Sequence, residues 1–175
     1  MTSAHDPACD VAHGRTPAPR EGRTLVAVFA SPVADYLLRY GGDAGFQPVL
    51  VEPDPALAEK AREAGVTVAA AFGDSAVVDD NTDVVVTDHH RQELGTMLRD
   101  ALASKARWVG IMGNPRHPAP HVPALTALGV AAAEIARVHR PIGLNIGSKT
   151  PAEIAVATLA GLIADRNGRP GGFSF

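Results

Sequence analysis

From Thr24 onward the apolar residues fall into short runs separated by stretches with helical spacing. Leu25-Val26-Ala27-Val28-Phe29 has no polar alternation and predicts a buried strand. Pro32 to Ala44 predicts a helix, with Ser31 as its cap and Pro32 at its first position. Pro48 to Glu52 predicts a second strand, and Pro55 to Ala64 a second helix that Gly65 stops. Val66 to Ala70 predicts a third strand. Asp83 to Thr87 predicts a fourth, buried on both faces. Arg91 to Ser104 then predicts a helix and Arg107 to Met112 a fifth strand that ends at Gly113.

The later part is less regular. Pro118, Pro120 and Pro123 make 114–123 a loop or a broken helix. Val130 to Arg137 predicts a short helix, and Ile142 to Asn145 a short strand. Ala152 to Asp165 predicts a terminal helix with Ile154, Ala155, Thr158, Leu159 and Leu162 on one face, ended by Asn167-Gly168. Residues 1–23 carry Ala, Pro, Gly, Arg and Asp without periodicity and read as a disordered tail. Residues 24–168 then form one domain, followed by a short C-terminal tail over 169–175. No internal repeat is visible.

Strand and helix alternating at this spacing mean βαβ units and a parallel sheet. Right-handed crossovers turn these into a three-layer, doubly wound, Rossmann-like α/β fold with a mostly parallel sheet.

Composition narrows the function classes. Apolar residues make up 46% and charged residues 20% of 175 residues, as in an ordinary globular domain. The net charge is −3 and the basic residues are scattered, so nucleic acid is not an expected partner. No apolar run reaches membrane-spanning length, and the N-terminus lacks the apolar core of a signal peptide. The single cysteine, Cys9, cannot form an internal disulfide and lies in the tail, away from any catalytic setting. These features predict a reduced, cytoplasmic protein.

In a doubly wound sheet, ligands bind outside the carboxyl ends of the strands, at the switch point between the two halves. Ala30-Ser31-Pro32, Asp88-His89-His90 and Gly113-Asn114-Pro115-Arg116 should line that crevice. A dinucleotide fingerprint places glycines in the first turn; here those positions fall on Phe29 and Ser31, with Ala34 at the third. Glu52 stands about 20 residues on, where a ribose-binding acid belongs; a solvated carboxylate at a strand end is the plainer reading. His89 and His90 are adjacent on extended backbone and point in different directions, so one metal shared between them is not expected. One of the two remains a candidate acid, base or phosphate partner, against a merely polar strand end. Gly113 permits close backbone approach and Arg116 offers a cation, against a turn with a surface arginine. His139 and Trp108 read as packing residues.

The segment Pro141 to Ala155 carries the densest signal. Gly143, Asn145, Gly147, Ser148 and Lys149 lead into a helix start where Thr150 caps, Pro151 takes the first position and Glu153 closes a capping box. A Gly-rich turn feeding a helix N-terminus presents free N–H groups and the positive end of the helix dipole. The spacing excludes a Walker loop. An anion site with Lys149 as its cation is one reading, and a tight turn that only starts a helix is the other.

Together, Val85 to His90, Trp108 to Gly113, Ile135 to Gly147 and Thr150 to Ala155 resemble, in order and spacing, the C-terminal Rossmann domain of the XdhC/CoxI family. The resemblance spans roughly residues 24–166. It implies an accessory or maturation factor for a molybdenum hydroxylase such as xanthine dehydrogenase. Such a factor binds the molybdenum cofactor and helps load its sulfurated form into the apoenzyme. It also implies a cofactor-handling protein rather than a catalyst, and no residue is given a catalytic role. The cofactor-binding set is Ala30, Ser31, Glu52, Asp88, His89, His90, Gly113, Asn114, Arg116, Gly143, Asn145, Gly147, Ser148, Lys149 and Thr150, with no metal ligands. The family carries Gly where this chain has Phe29 and Ser31, Asp where it has Asn145, and a basic run after the fifth strand. His90 and Glu93 match the family pattern, while Asp88 and His89 stand in swapped order. The N-terminal domain that many members carry is not in this sequence, so a separate N-terminal module is an expected partner beside the hydroxylase apoenzyme. Small Rossmann modules often pair, which makes a homodimer compatible with the sequence. Two alternatives stay open: an NAD(P)-binding oxidoreductase, and a protein-interaction module that has lost ligand binding.

Overall fold

The computed structural model describes residues 7–17, 22–73 and 78–172. Among these residues six parallel strands form one sheet: β1 (Thr24–Val28), β2 (Gln47–Val51), β3 (Val68–Ala69), β4 (Thr82–Val86), β5 (Trp108–Ile111) and β6 (Val138–His139). Their order is β3-β2-β1-β4-β5-β6, so the chain winds outward in both directions from β1 and β4. The register pairs Val28 with Val51 on one side and with Val86 on the other. Every residue of β1 and of β4 is buried, the apolar runs Leu25–Val28 and Val84–Val86 along with Thr24, Thr82 and Asp83 at the strand starts.

Among the described residues there are seven helices: α1 (Pro7–Ala12), α2 (Pro32–Asp43), α3 (Pro55–Glu63), α4 (Leu94–Ala103), α5 (His121–Ala127), α6 (Ala132–Ile135) and α7 (Pro151–Arg166). Alternation along the strands divides the core. Val26, Val28, Val84, Val86, Val109 and Ile111 face α4 and α5 through Leu94, Leu98 and Leu125. Leu25 and Val85 face the other way, against Leu37 of α2 and Ala155, Leu159 and Leu162 of α7. Ala27 and Leu50 meet Ala34 and Leu38, with Ala61 of α3 beside them. The result is a three-layer Rossmann-like fold with an all-parallel sheet.

Local chemistry explains the helix starts. Ser31 Oγ accepts from the Ala34 N–H at 3.1 Å, and Asp54 Oδ1 accepts from the Ala56 and Leu57 N–H groups. At the opposite edge of the sheet from the carboxyl ends, the fully buried Asp83 holds Arg107 at 2.7 Å and Arg166 at 2.9 Å. Arg166 also donates to the Asn81 side chain at 2.6 Å and to its carbonyl at 2.7 Å. This network fixes the last turn of α7 to the start of β4.

Several expected elements differ. Residues 1–23, expected as a disordered tail, include α1; residues 1–6 and 18–21 lie outside the described residues. The third strand shrinks to Val68–Ala69, and α4 begins only at Leu94. No strand forms over 142–145: the sixth strand is Val138–His139, and Leu144 N–H donates instead to the Ala157 carbonyl of α7. In the C-terminal tail, 173–175 lie outside the described residues.

Candidate functional site

The switch point lies between the ends of β1 and β4, and the chain itself closes it. Phe29 follows β1 with φ 73°, a left-handed conformation ordinarily left to glycine. That conformation costs roughly 1–2 kcal/mol. Complete burial of the ring returns about 1.5–3 kcal/mol, so a phenylalanine is tolerated where a glycine is usual. The Arg91 guanidinium lies 4.8 Å from the ring centre and covers its outer face.

Glu52 directly follows β2, with its side chain fully buried. Oε2 accepts from the Ala30 N–H at 2.7 Å, and Oε1 from the Asp54 N–H at 2.9 Å. Arg91 adds bonds at 3.0 and 3.3 Å to the two oxygens. A carboxylate with four donors has little capacity left for a ribose hydroxyl. Arg91 also reaches Glu93 at 3.2 Å. That hydrogen bond, against the opposing effect of burial, and the bond to Glu52 push Arg91 further toward its charged form; Arg91 in turn lowers the Glu93 carboxyl. Ser31 Oγ donates to Thr87 Oγ1 at 2.9 Å, and Thr87 donates to the Phe29 carbonyl at 2.8 Å. Ala30, Ser31 and Glu52 therefore cluster at the switch point, Glu52 bound to Ala30 and Arg91 and Ser31 to Thr87 and the Ala34 N–H.

The open space lies on the other half of the edge. A groove of about 840 Å³ runs above β4, β5 and β6. Its first wall is Thr87 to His90, where Asp88 Oδ1 accepts from the His90 N–H at 2.8 Å. The His89 and His90 rings pack 4.1 Å apart. Burial, then His90 and Arg140, lower the pKa of His89, opposed by Asp88 and by the Met112 carbonyl. The second wall is Gly113, Asn114 and Arg116, with the Arg116 N–H held by Asn114 Oδ1 at 2.9 Å. A side chain on Gly113 would meet Arg140 Nε at 2.6 Å, so Gly113 makes room for an arginine rather than for a ligand. Arg140 then donates to the carbonyls of Asn114, His117 and Pro118 and shapes this loop. A smaller pocket of about 530 Å³, lined by His89, His90, His117 and Arg140, opens beside it.

The third wall is Pro141 to Lys149, which contributes Gly143, Asn145, Gly147, Ser148 and Lys149. Gly143 takes φ 80°, and an added Cβ would lie 2.8 Å from the Ala157 and Thr158 backbone. Its Cα in turn sits where a side chain on Gly161 would point. These glycines let the loop lie directly on α7. Thr150 caps α7 as expected, accepting from the Glu153 N–H. Glu153 Oε2 accepts from the Lys149 and Thr150 N–H groups at 2.8 and 3.1 Å. The helix start thus already holds an anion, and it belongs to the chain. Those same bonds lower the Glu153 carboxyl below its usual range.

Thr150 stands at the rim and not in the lining. His139 stacks on Trp108 with ring centres 4.9 Å apart, a packing contact. Among the described residues no group of three or more His, Cys, Asp and Glu is placed to hold a metal ion, and no helix is long and apolar enough to cross a membrane. Sequence reasoning missed Arg91 and Arg140. Both are single charges in loops, and neither has a local pattern that announces a distant partner.

Comparison with known proteins agrees with this architecture. A family model described as the XdhC Rossmann domain matches residues 25–162. The Escherichia coli (strain K12) protein YqeB is 35% identical over 94 residues, 53% of this chain and 17% of that protein. A crystal structure titled as a xanthine dehydrogenase from Bacillus halodurans superposes with a TM-score of 0.66 at 22% identity, over 87% of this chain and 45% of that one. At that identity the likeness is one of fold. The chain spans less than half the length of either protein.

Proposed function

We propose, from the premise that this chain belongs to the XdhC Rossmann-domain family, that it is an accessory factor for a molybdenum hydroxylase of the xanthine dehydrogenase kind. In this reading it holds a phosphate-bearing ligand, the molybdenum cofactor or a nucleotide, in the groove above β4, β5 and β6. The observation that carries the reading is the groove itself. Its volume of about 840 Å³ is in the range of small-molecule sites. Met112, Ile142, Leu144 and Ile154 give it an apolar lining for a heterocycle, and Arg116, Ser148 and Lys149 line it with groups that suit a phosphate. His89 and His90 stand where they orient the ring's polar edge. The cofactor supplies redox chemistry to the client enzyme; this chain supplies binding and orientation.

The test is a thermal-stability screen of the purified protein against molybdenum cofactor, NAD, NADP, AMP and GTP derivatives. A true ligand at a hundredfold excess over its dissociation constant stabilises the fold by about 3 kcal/mol. Arg116→Ala combined with Lys149→Ala removes that response. Silence toward every compound sinks the reading. It would favour the interaction module instead, for which the exposed Ile146 (56%) and Val156 (49%), on the loop and helix that wall the groove, are the supporting observation.

A further inference from the structure

A dinucleotide on a sheet of this strand order needs three things at the first turn. These are a free backbone N–H for the pyrophosphate, an open acid at the end of β2 for the ribose, and room above the turn. All three are taken here. The Ala30 N–H is bound to Glu52 at 2.7 Å. Both Glu52 oxygens are occupied, by Asp54 and by Arg91. The Arg91 guanidinium covers the Phe29 ring, and two further bonds to Glu93 hold it from the far side.

We infer that Arg91 is a specificity-determining residue: it seals the adenosine half of the edge and confines ligands to the groove over β4, β5 and β6. The ligand class that remains is a single nucleoside or heterocycle with its phosphate, not a dinucleotide. That ligand class rests on the proposed function of the groove; the sealing role of Arg91 does not. A ribose could reach Glu52 only if Arg91 left, stranding a fully buried carboxylate without its countercharge. A ligand confined to the groove asks for no such displacement.

The experiment is calorimetric titration of the full chain with AMP, ADP-ribose and NAD, for the wild type and Arg91→Ala, with circular dichroism to verify folding. Arg91→Ala is expected to raise NAD and ADP-ribose affinity by about tenfold or more, as the stranded carboxylate finds a hydroxyl partner. AMP carries the same adenosine ribose and should gain in the variant as well, on top of the groove affinity it has in the wild type. The Ala30 amide resonance should move with NAD in the variant alone. A folded Arg91→Ala protein with unchanged NAD affinity overturns the inference, as does a wild type that binds NAD as tightly as the variant. Should Arg91→Ala fail to fold, Arg91→Lys keeps the countercharge but loses the flat guanidinium over Phe29. It should show a smaller gain for NAD, and no gain overturns the inference equally. A wild type that binds no mononucleotide defeats the groove reading, while the NAD comparison still decides the role of Arg91.

Discussion

Arg91 and Glu52 stand 39 residues apart in the chain, yet their side chains meet at 3.0 Å with the carboxylate fully shielded from water. Removing one member of such a pair leaves an uncompensated buried charge. Arg91→Ala should therefore destabilise the fold by about 3 kcal/mol, less whatever the Ala30 and Asp54 N–H groups retain. Urea unfolding of Arg91→Ala, Glu52→Ala and the double variant measures the coupling directly. A double variant that loses the sum of the two single losses would show that the residues do not act together.

The edge of the sheet opposite the groove should be as sensitive. Asp83 is fully buried between Arg107 and Arg166. Asp83→Ala takes the buried countercharge from both arginines, leaving Arg107 with Asp165 and Arg166 with Asn81, and should cost about 3 kcal/mol, the lower end for a broken buried pair. Any response to ligand should survive in the folded fraction, because this network lies far from the groove. A denaturation midpoint like that of the wild type would mean that solvent replaces the carboxylate at little cost.

Gly143 and Gly161 form the closest approach of loop to helix. Gly143→Ala combines a strained φ of 80° with contacts of 2.8 Å to the Ala157 and Thr158 backbone, which is rigid. It should destabilise by roughly 1–3 kcal/mol and weaken whatever the groove binds. Gly147→Ala, with φ 70° but nothing within 4 Å, should show the backbone strain without the displacement of α7. Equal losses in the two variants would show that packing against α7 is not what the first glycine serves.

Acid should loosen the fold in a particular window. Burial depresses the pKa values of His89 and His121 from an ordinary value of 6.5. Above that value both residues are neutral in the folded and unfolded chain, and stability is undiminished. As pH falls below 6.5 the unfolded chain takes up protons that the folded chain resists, so stability falls until the depressed folded values are passed. His121→Gln should flatten part of this slope in unfolding measurements between about pH 6.5 and pH 5. A slope that persists unchanged would move the effect to His89 or to the carboxylates.

The parts legible in the sequence were those fixed by neighbours along the chain. Ser31-Pro32 and Thr150-Pro151 announce helix starts because cap and first turn are contiguous, and both caps form. The runs at Leu25 and Val84 announce the central strands because burial on both faces favours consecutive apolar residues. The family resemblance was legible too, since its residues keep their order and spacing. The strand at Val138–His139 was not, being two residues long and preceded by a helix of four. The glycines at 143 and 147 read locally as an anion-binding turn, whereas Gly143 is required by α7, which follows later in the chain. Phe29 read as a lost glycine; burial of its ring beneath Arg91 explains how the backbone keeps a left-handed shape there. Such facts depend on which distant side chain arrives, and no local pattern encodes that.

The helix behind the groove is pinned at both ends, by Glu153 to the Lys149 and Thr150 N–H groups at one and by Arg166 to Asp83 and Asn81 at the other. A molecule entering the groove meets a wall whose shape was settled before it arrived, so little ordering entropy is spent on capture. Substitutions around that wall should then leave the rate of arrival nearly unchanged and act on residence time.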